Sequence, residues 1–121
     1  MKNGLPKAGW LEKAAYILGW RKIFLVEGNS MLPTLSHGDC VFINPRLKPQ
    51  IGDIVLARHP FKQSVNIIKR VGEITADGRF FLVGDNAPES TDSRSFGAIQ
   101  AKDILGVAVS RFIPKDKKEQ V

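Results

Sequence analysis

The stretch Val65-Asn66-Ile67-Ile68-Lys69-Arg70-Val71-Gly72-Glu73-Ile74-Thr75-Ala76-Asp77-Gly78-Arg79-Phe80-Phe81-Leu82-Val83-Gly84 decides the fold. Two apolar, β-branched and aromatic runs flank Asp77-Gly78, a pair whose glycine supplies positive φ at no steric cost. The reading is a β-hairpin with strands over 65–74 and 80–84. Side chains alternate across a strand, so Lys69 shares a face with Val65, Ile67 and Val71, whereas Arg70 shares the other with Asn66 and Ile68. One basic residue is thereby aimed into an apolar face.

Working outward, short apolar runs bounded by turn residues predict further strands over 22–27, 39–44, 53–58 and 104–113, the pattern of a mainly β fold, a small barrel or sandwich. Pro45 and Pro49 mark a loop, and residues 85–97 form a long polar one rich in Ser, Asp and Asn. Ahead of the strands, Leu11, Ala14, Ala15 and Leu18 fall on one stripe, widened by Trp10 and Ile17. They predict an amphipathic helix over 7–20, with Gly19 as its weak spot. That helix either packs on the domain or turns its two tryptophans to a membrane surface or a partner. The chain thus divides into an N-terminal helical segment 1–21, a β domain 22–114 and a charged, solvated tail 115–121.

The 121 residues, 43% hydrophobic and 25% charged, suit one compact domain and argue against disordered or fibrous classes. Eighteen Lys and Arg oppose twelve Asp and Glu, a formal +6, but before the tail they are scattered rather than clustered as nucleic-acid binders cluster them. The single Cys40 excludes an internal disulfide. The best apolar run, Ala14–Trp20, stops at Arg21-Lys22, short of the ~20 residues that span a bilayer. It also lacks the layout of a cleavable signal peptide. No spanning anchor is expected.

Burial disfavours an ammonium, so Lys69 on an apolar face has a lowered pKa. A fall of about three units from ~10.4, roughly 4 kcal/mol, makes a lysine a useful base at neutral pH. The same side chain would also suit a barrel rim, its ammonium reaching water. A base needs a nucleophile, and Gly28-Asn29-Ser30-Met31-Leu32-Pro33-Thr34-Leu35 offers Ser30 after a strand and before a turn set by Pro33. Backbone N–H groups beside it suit an oxyanion hole; equally, Ser30 suits a turn or a helix cap. The stretch Gly84-Asp85-Asn86-Ala87-Pro88-Glu89-Ser90-Thr91-Asp92-Ser93-Arg94-Ser95-Phe96-Gly97 adds hydroxyls and an Asp92–Arg94 pair able to brace a loop. His37 and Cys40 have metal-ligand spacing but lack further donors; they read as a turn residue and a strand residue, with no metal site assigned. His59, before Pro60, reads as a loop residue.

G-N-S-M-L-P-T-L, then I-K-R-V-G, then G-D-N-x-x-x-S-x-D-S-R-x-x-G, in that order across most of 27–97, resemble the type I signal peptidase family of Ser–Lys endopeptidases. The resemblance implies a small signal-peptidase-like β-barrel or sandwich in which Ser30 is the nucleophile and Lys69 the general base. Ser90 would orient Lys69, Asp92 and Arg94 would pair to hold the last loop, and no cofactor would be needed. Many members carry Ser or Thr two residues before the nucleophile to help bind the oxyanion; here that position is Gly28, so the Ser30 N–H would carry more of the task. Substrate would add as a strand beside Ser30, with Met31 and Leu32 as pocket walls. The anchorless, short form resembles the maturation peptidases of nickel-containing superoxide dismutase. These cleave a leader from a cytoplasmic precursor, so the implied partner is that precursor and the implied location cytoplasmic. Three alternatives accompany this reading: a signal-peptidase-like protease for another precursor, a self-cleaving repressor-like peptidase, and a non-catalytic peptide-binding module.

Overall fold

The computed structural model describes residues 4–62 and 64–114. The charged tail expected over 115–121 lies outside the described residues. Six antiparallel strands form one open sheet: β1 (Lys22–Leu25), β2 (Cys40–Asn44), β3 (Ile54–Arg58), β4 (Asn66–Ile74), β5 (Phe80–Val83) and β6 (Ile104–Phe112). Their order is β1-β2-β6-β3-β4-β5, which leaves β1 and β5 as the two edges. All six predicted strands are present, trimmed by one or two residues where turns begin. The Asp77-Gly78 turn joins β4 to β5 as expected, with Gly78 at φ 83° and its N–H donated to the Thr75 carbonyl.

Alternation places a core on each side of the sheet. On β3, Ile54 and Leu56 join Val41, Ile43, Met31, Leu35 and Ile68 in one apolar cluster. Val55 and Ala57 join Val71, Leu82, Phe80, Ile99 and Val107 in the other. Lys69 pairs across the ladder with Val55 and therefore lies on the second cluster's side. Arg70 pairs with Ile54 and lies on the first. The alternation read from the sequence thus holds in three dimensions.

The N-terminal helix, α1, runs only from Trp10 to Ile17. It starts late because residues 6–8 commit their backbone to β6: Ala8 N–H donates to the Arg111 carbonyl and Arg111 N–H to that of Pro6. It stops at Gly19, which takes φ 81°. Of the apolar stripe expected to pack, Ala15 is buried while the larger residues are not. Leu11 and Leu18 are 65% and 61% exposed, and Trp10 and Ile17 are exposed as well. The face against the sheet is instead that of Glu12, Ala15 and Tyr16, at helical i, i+3, i+4 spacing. Ala15 is buried, the Tyr16 ring meets Phe42 at 5.8 Å, and Glu12 pairs with Arg21 at 2.9 Å. A small residue permits close approach where a larger one would hold the helix away. Among the described residues, no helix is long and apolar enough to cross a membrane.

Residues 85–97, expected as a polar loop, are largely wound: a 3-10 turn spans Ala87–Glu89 and a short helix, α2, spans Ser93–Phe96. The Asp92 carboxylate caps α2 by accepting from Arg94 N–H.

Gly106 of β6 lies where a Cβ would come 2.5 Å from Ile43 Cγ2 and 2.9 Å from the Asn44 carbonyl. Gly106→Ala is therefore expected to destabilise by ~1–3 kcal/mol, because the neighbouring strand backbone has to move. Gly4→Ala, with open space around it, should stay within ~0.5 kcal/mol. Urea unfolding of both variants checks this; equal midpoints would refute it.

Candidate active site

The segment that carries Ser30 is held from below by the core. Its neighbours Met31 and Leu35 are buried in the first cluster, and Leu35 N–H closes a turn on the Met31 carbonyl. The base of the loop is pinned where Val26 N–H donates to Asp39 and Gly38 N–H to Val26. Gly28 takes φ 79°, and its N–H donates to His37 Nδ1 at 2.9 Å. His37 is thereby accounted for as a loop brace, and Cys40 is buried in β2.

Lys69 is only 5% exposed. It lines a cavity of about 550 Å³ together with Ser30, Phe24, Leu25, Val65 and Ile67. Ser30 and Lys69, 39 residues apart in sequence, thus open on one space. Burial pushes the Lys69 pKa below its ordinary range; Asp92 pulls it up and Arg94 pushes it down.

Lys69 Nζ donates to Ser90 Oγ at 3.1 Å rather than to Ser30. Ser90 in turn donates its single hydroxyl proton to Asp92 Oδ2 at 2.8 Å. A carboxylate accepts only, so the direction of this chain is fixed: Ser90 has to accept from Lys69. An N–H of Lys69 therefore points at Ser90, leaving the rest of the amine to face the cavity.

Asp92 is the hub beneath. Almost wholly buried, it accepts from Gly84 N–H at 2.8 Å, Ser90 Oγ, Arg94 N–H, and Arg94 Nε and Nη2 at 3.0 and 2.5 Å. Burial alone would raise its pKa. The Arg94 guanidinium, the Gly84 N–H and the Ser90 hydroxyl overcome that and hold it well below the ordinary carboxylate range. Asp92 therefore stays ionised, its charge neutralised mainly by Arg94. Lys69 is not required as its counter-ion.

Two contributors escaped the sequence reading. Asp85 takes a bidentate pair from Arg70, Nε and Nη2 each at 2.8 Å, and accepts from Thr34 Oγ1 at 2.5 Å. It ties the residue after Lys69 to the loop that follows Ser30. Asn86 N–H donates to the Ser30 carbonyl at 2.8 Å, and its side-chain amide to that of Asn29 at 3.0 Å. The only sequence signal was their place in G-D-N; Arg70 lies 15 residues from Asp85, and their partners in the serine loop lie 51 and 56 or more residues away. Gly84 is the meeting point. A Cβ there would sit 2.1 Å from Ser90 Oγ and 2.7 Å from the Ser30 carbonyl oxygen, so only glycine lets the two loops close.

Met31, expected as a pocket wall, is 1% exposed in the core, and neither it nor Leu32 lines the cavity. The apolar walls are Phe24 and Leu25 of β1 with Ile67 of β4. Among the described residues, no group of three or more His, Cys, Asp or Glu is placed to hold a metal ion.

A Peptidase S24-like family model matches residues 19–109. The mitochondrial inner membrane protease subunit 1 of Xenopus tropicalis is 31% identical over 116 residues, covering 77% of this chain and 70% of that protein. Its Homo sapiens counterpart is 33% identical over 107 residues, covering 69% and 64% respectively. A probable signal peptidase I-1 of Synechocystis sp. is 25% identical over 143 residues, covering 79% and 73%.

The lowered Lys69 pKa has a thermodynamic consequence. The unfolded lysine, near its ordinary 10.5, binds a proton more tightly than the folded one, so stability rises with pH across the interval between the two values. At pH 7 the protein pays for burying this amine. Lys69→Met is expected to raise the melting temperature at pH 7, with the gain shrinking as pH approaches 10. A melting temperature unchanged or lowered at pH 7 would overturn this.

Proposed function

The chain belongs to the Peptidase S24-like family of serine peptidases, related to signal peptidase I, and on that premise we propose that it is a Ser–Lys endopeptidase that removes an N-terminal leader from a precursor protein. One observation carries the reading. A buried lysine with a lowered pKa, held through Ser90 by an independently neutralised Asp92, lines the same cavity as Ser30.

In this mechanism neutral Lys69 accepts the Ser30 hydroxyl proton as Ser30 Oγ bonds to the scissile carbonyl carbon. The carbon–nitrogen bond then breaks, and protonated Lys69 returns the proton to the leaving amine. Water, losing its proton to the same lysine, attacks the acyl ester, and Lys69 returns that proton to Ser30 Oγ as its bond to the acyl carbon breaks. Ser90 acts as a positioning residue, directing one Lys69 N–H away from Ser30. Asp92 and Arg94 hold Ser90 and Gly84 in place. The apolar walls Phe24, Leu25 and Ile67 suit small or aliphatic side chains beside the cut, with the substrate lying extended along the β1 edge.

The precursor proposed is that of nickel superoxide dismutase, met in the cytoplasm. Its support is the G-N-S-M-L-P-T-L segment and the likeness of this Peptidase S24-like chain to a protein named as a signal peptidase. Another leader-bearing precursor is the second reading, favoured by the likeness to proteins named as signal peptidases and as an inner membrane protease.

The test is mass spectrometry of a nickel superoxide dismutase precursor after incubation with the protein. A single cut leaving an N-terminal histidine is expected, absent with Ser30→Ala and reduced by about 10²–10⁴-fold with Lys69→Ala. Lys69→Arg should be as inactive, since arginine keeps its proton. For the wild type, kcat/KM should rise with pH as Lys69 deprotonates. Cleavage that survives in Lys69→Arg would place the base elsewhere, and no cut would turn the search to other precursors.

A further inference from the structure

A second cavity, of about 580 Å³, lies at the other end of the β3–β4 connection. That connection is a shared wall: Arg58, His59 and Phe61 line the second cavity, while Ser64, Val65 and Asn66 line the one that holds Ser30 and Lys69. It is braced internally, His59 N–H donating to Val65 and the Phe61 and Lys62 N–H groups to His59 Nδ1. Nothing in the Ser30–Lys69 chemistry uses the second cavity.

Its lining has a definite chemical character. Three cations, Arg58, Arg79 and Lys102, face one acid, Asp103. Arg58 pairs with Asp103 and Arg79 with Asp77, each at 3.3 Å, yet the two arginine side chains remain 44% and 47% exposed. Lys102 has no ion pair among the described residues. Beside the cations stands an aromatic group: His59 meets the Phe96 ring at 5.2 Å and the Phe61 ring at 6.3 Å, and Phe61 is 76% exposed. A large aromatic ring left so open costs hydration that an apolar ligand group would recover, and it stands beside two half-exposed, ion-paired guanidinium groups and the Lys102 ammonium. Cations select carboxylates and the rings select an apolar or aromatic side chain. Both demands are met by a short acidic peptide with an apolar residue among its acids.

We infer that this cleft is a second binding site, for an acidic peptide segment interspersed with apolar side chains, carried on the same precursor chain whose leader is cut at Ser30. The inference rests on the proposed peptidase reading for the identity of the chain that bears the segment, but not for the binding itself. Both cavities border the β3–β4 connection, so a peptide in the Ser30 cavity would pass that connection to reach the cleft. The site would then raise the affinity for precursors carrying acids at the right spacing, and raise kcat/KM through KM rather than kcat.

Binding is read first, without any cleavage. Fluorescence anisotropy of a labelled Phe-Glu-Glu-Asp-Phe-Glu-Glu peptide and its Phe-Gln-Gln-Asn-Phe-Gln-Gln counterpart is measured on the wild-type protein at near-physiological salt. The acidic peptide is expected to bind at least about tenfold more tightly. Lys102→Glu and Phe61→Ser, both at exposed positions that should leave the fold intact, are each expected to weaken the acidic peptide several-fold, whereas Lys48→Glu, outside both cavities, should not. Equal weakening by Lys48→Glu would mean that net charge alone attracts the peptide, and would overturn the site. So would equal affinity for the two peptides. A second arm compares cleavage of one leader substrate with and without the acidic segment: Lys102→Glu should raise KM only for the substrate that has it. Binding that behaves as expected with no cleavage of either substrate would count against the peptidase reading alone.

Discussion

An ammonium group on the apolar face of a strand must lose its charge, find an anion, or reach water, and the last third of this chain is organised around that constraint. Lys69 cannot reach water freely, being 5% exposed opposite Val55. The nearest anion, Asp92, is taken by Arg94, and Ser90 stands between Asp92 and Lys69 as a neutral spacer. Had Asp92 faced Lys69 directly, the two would have formed an ion pair and the lysine would have kept its proton. Placing a hydroxyl between them keeps the hydrogen bond that orients the amine while weakening the Coulomb attraction that would protonate it. The arrangement costs stability at the site and lowers the proton affinity of the lysine.

The opposite side of the sheet supplies the mechanical half of the same design. Arg70 follows Lys69 and so points the other way, where Asp85 clamps it with two hydrogen bonds and reaches on to Thr34. The lysine strand, the loop after β5 and the serine loop are thereby joined on one face by charge-assisted bonds. On the other they meet through Gly84 and Ser90. Displacing any one of the three pulls on the other two, so the distance between Ser30 and Lys69 is set by tertiary contacts rather than by a local motif. Asn86, which holds the carbonyl of Ser30 itself, is the most direct link in that frame.

These same contacts explain what the sequence could and could not disclose. Period-two alternation is a local rule, so it placed all six strands and set Lys69 and Arg70 on opposite faces. The Asp77-Gly78 turn is equally local. The links of Asp85 and Asn86 to the serine loop run to partners more than fifty residues away, and no window along the chain brings them together. The long polar loop looked unstructured because its order comes from one buried carboxylate, Asp92, that caps α2 and accepts from Gly84. Helix α1 buries only part of its expected stripe for a related reason: the sheet takes the small Ala15 from it and leaves the bulkier Leu11 and Leu18 exposed. Met31 followed Ser30 so closely that it was read as part of the same cavity. Yet one residue along the chain is enough to turn a side chain into the core.

The glycine that departs from the signal peptidase pattern shows how backbone conformation limits what this site can use. Gly28 sits at φ 79°, a region that serine or threonine enters only with strain, so restoring the family's hydroxyl there would disturb the turn that carries Ser30. No neighbour within 4 Å obstructs a Cβ at Gly28; the barrier is conformational, not steric. Nor is its N–H available, since His37 Nδ1 already accepts it. The Ser30 N–H, by contrast, has no backbone acceptor among the described residues. On the peptidase reading, that N–H is free to meet the oxyanion, and one oxyanion-hole donor is worth ~3 kcal/mol in such sites. The frame of Asn86, Asp85 and Gly84 then has a second purpose. Where one donor carries the work of two, its direction has to be held more closely, and Asn86 holds the peptide unit on the carbonyl side of Ser30.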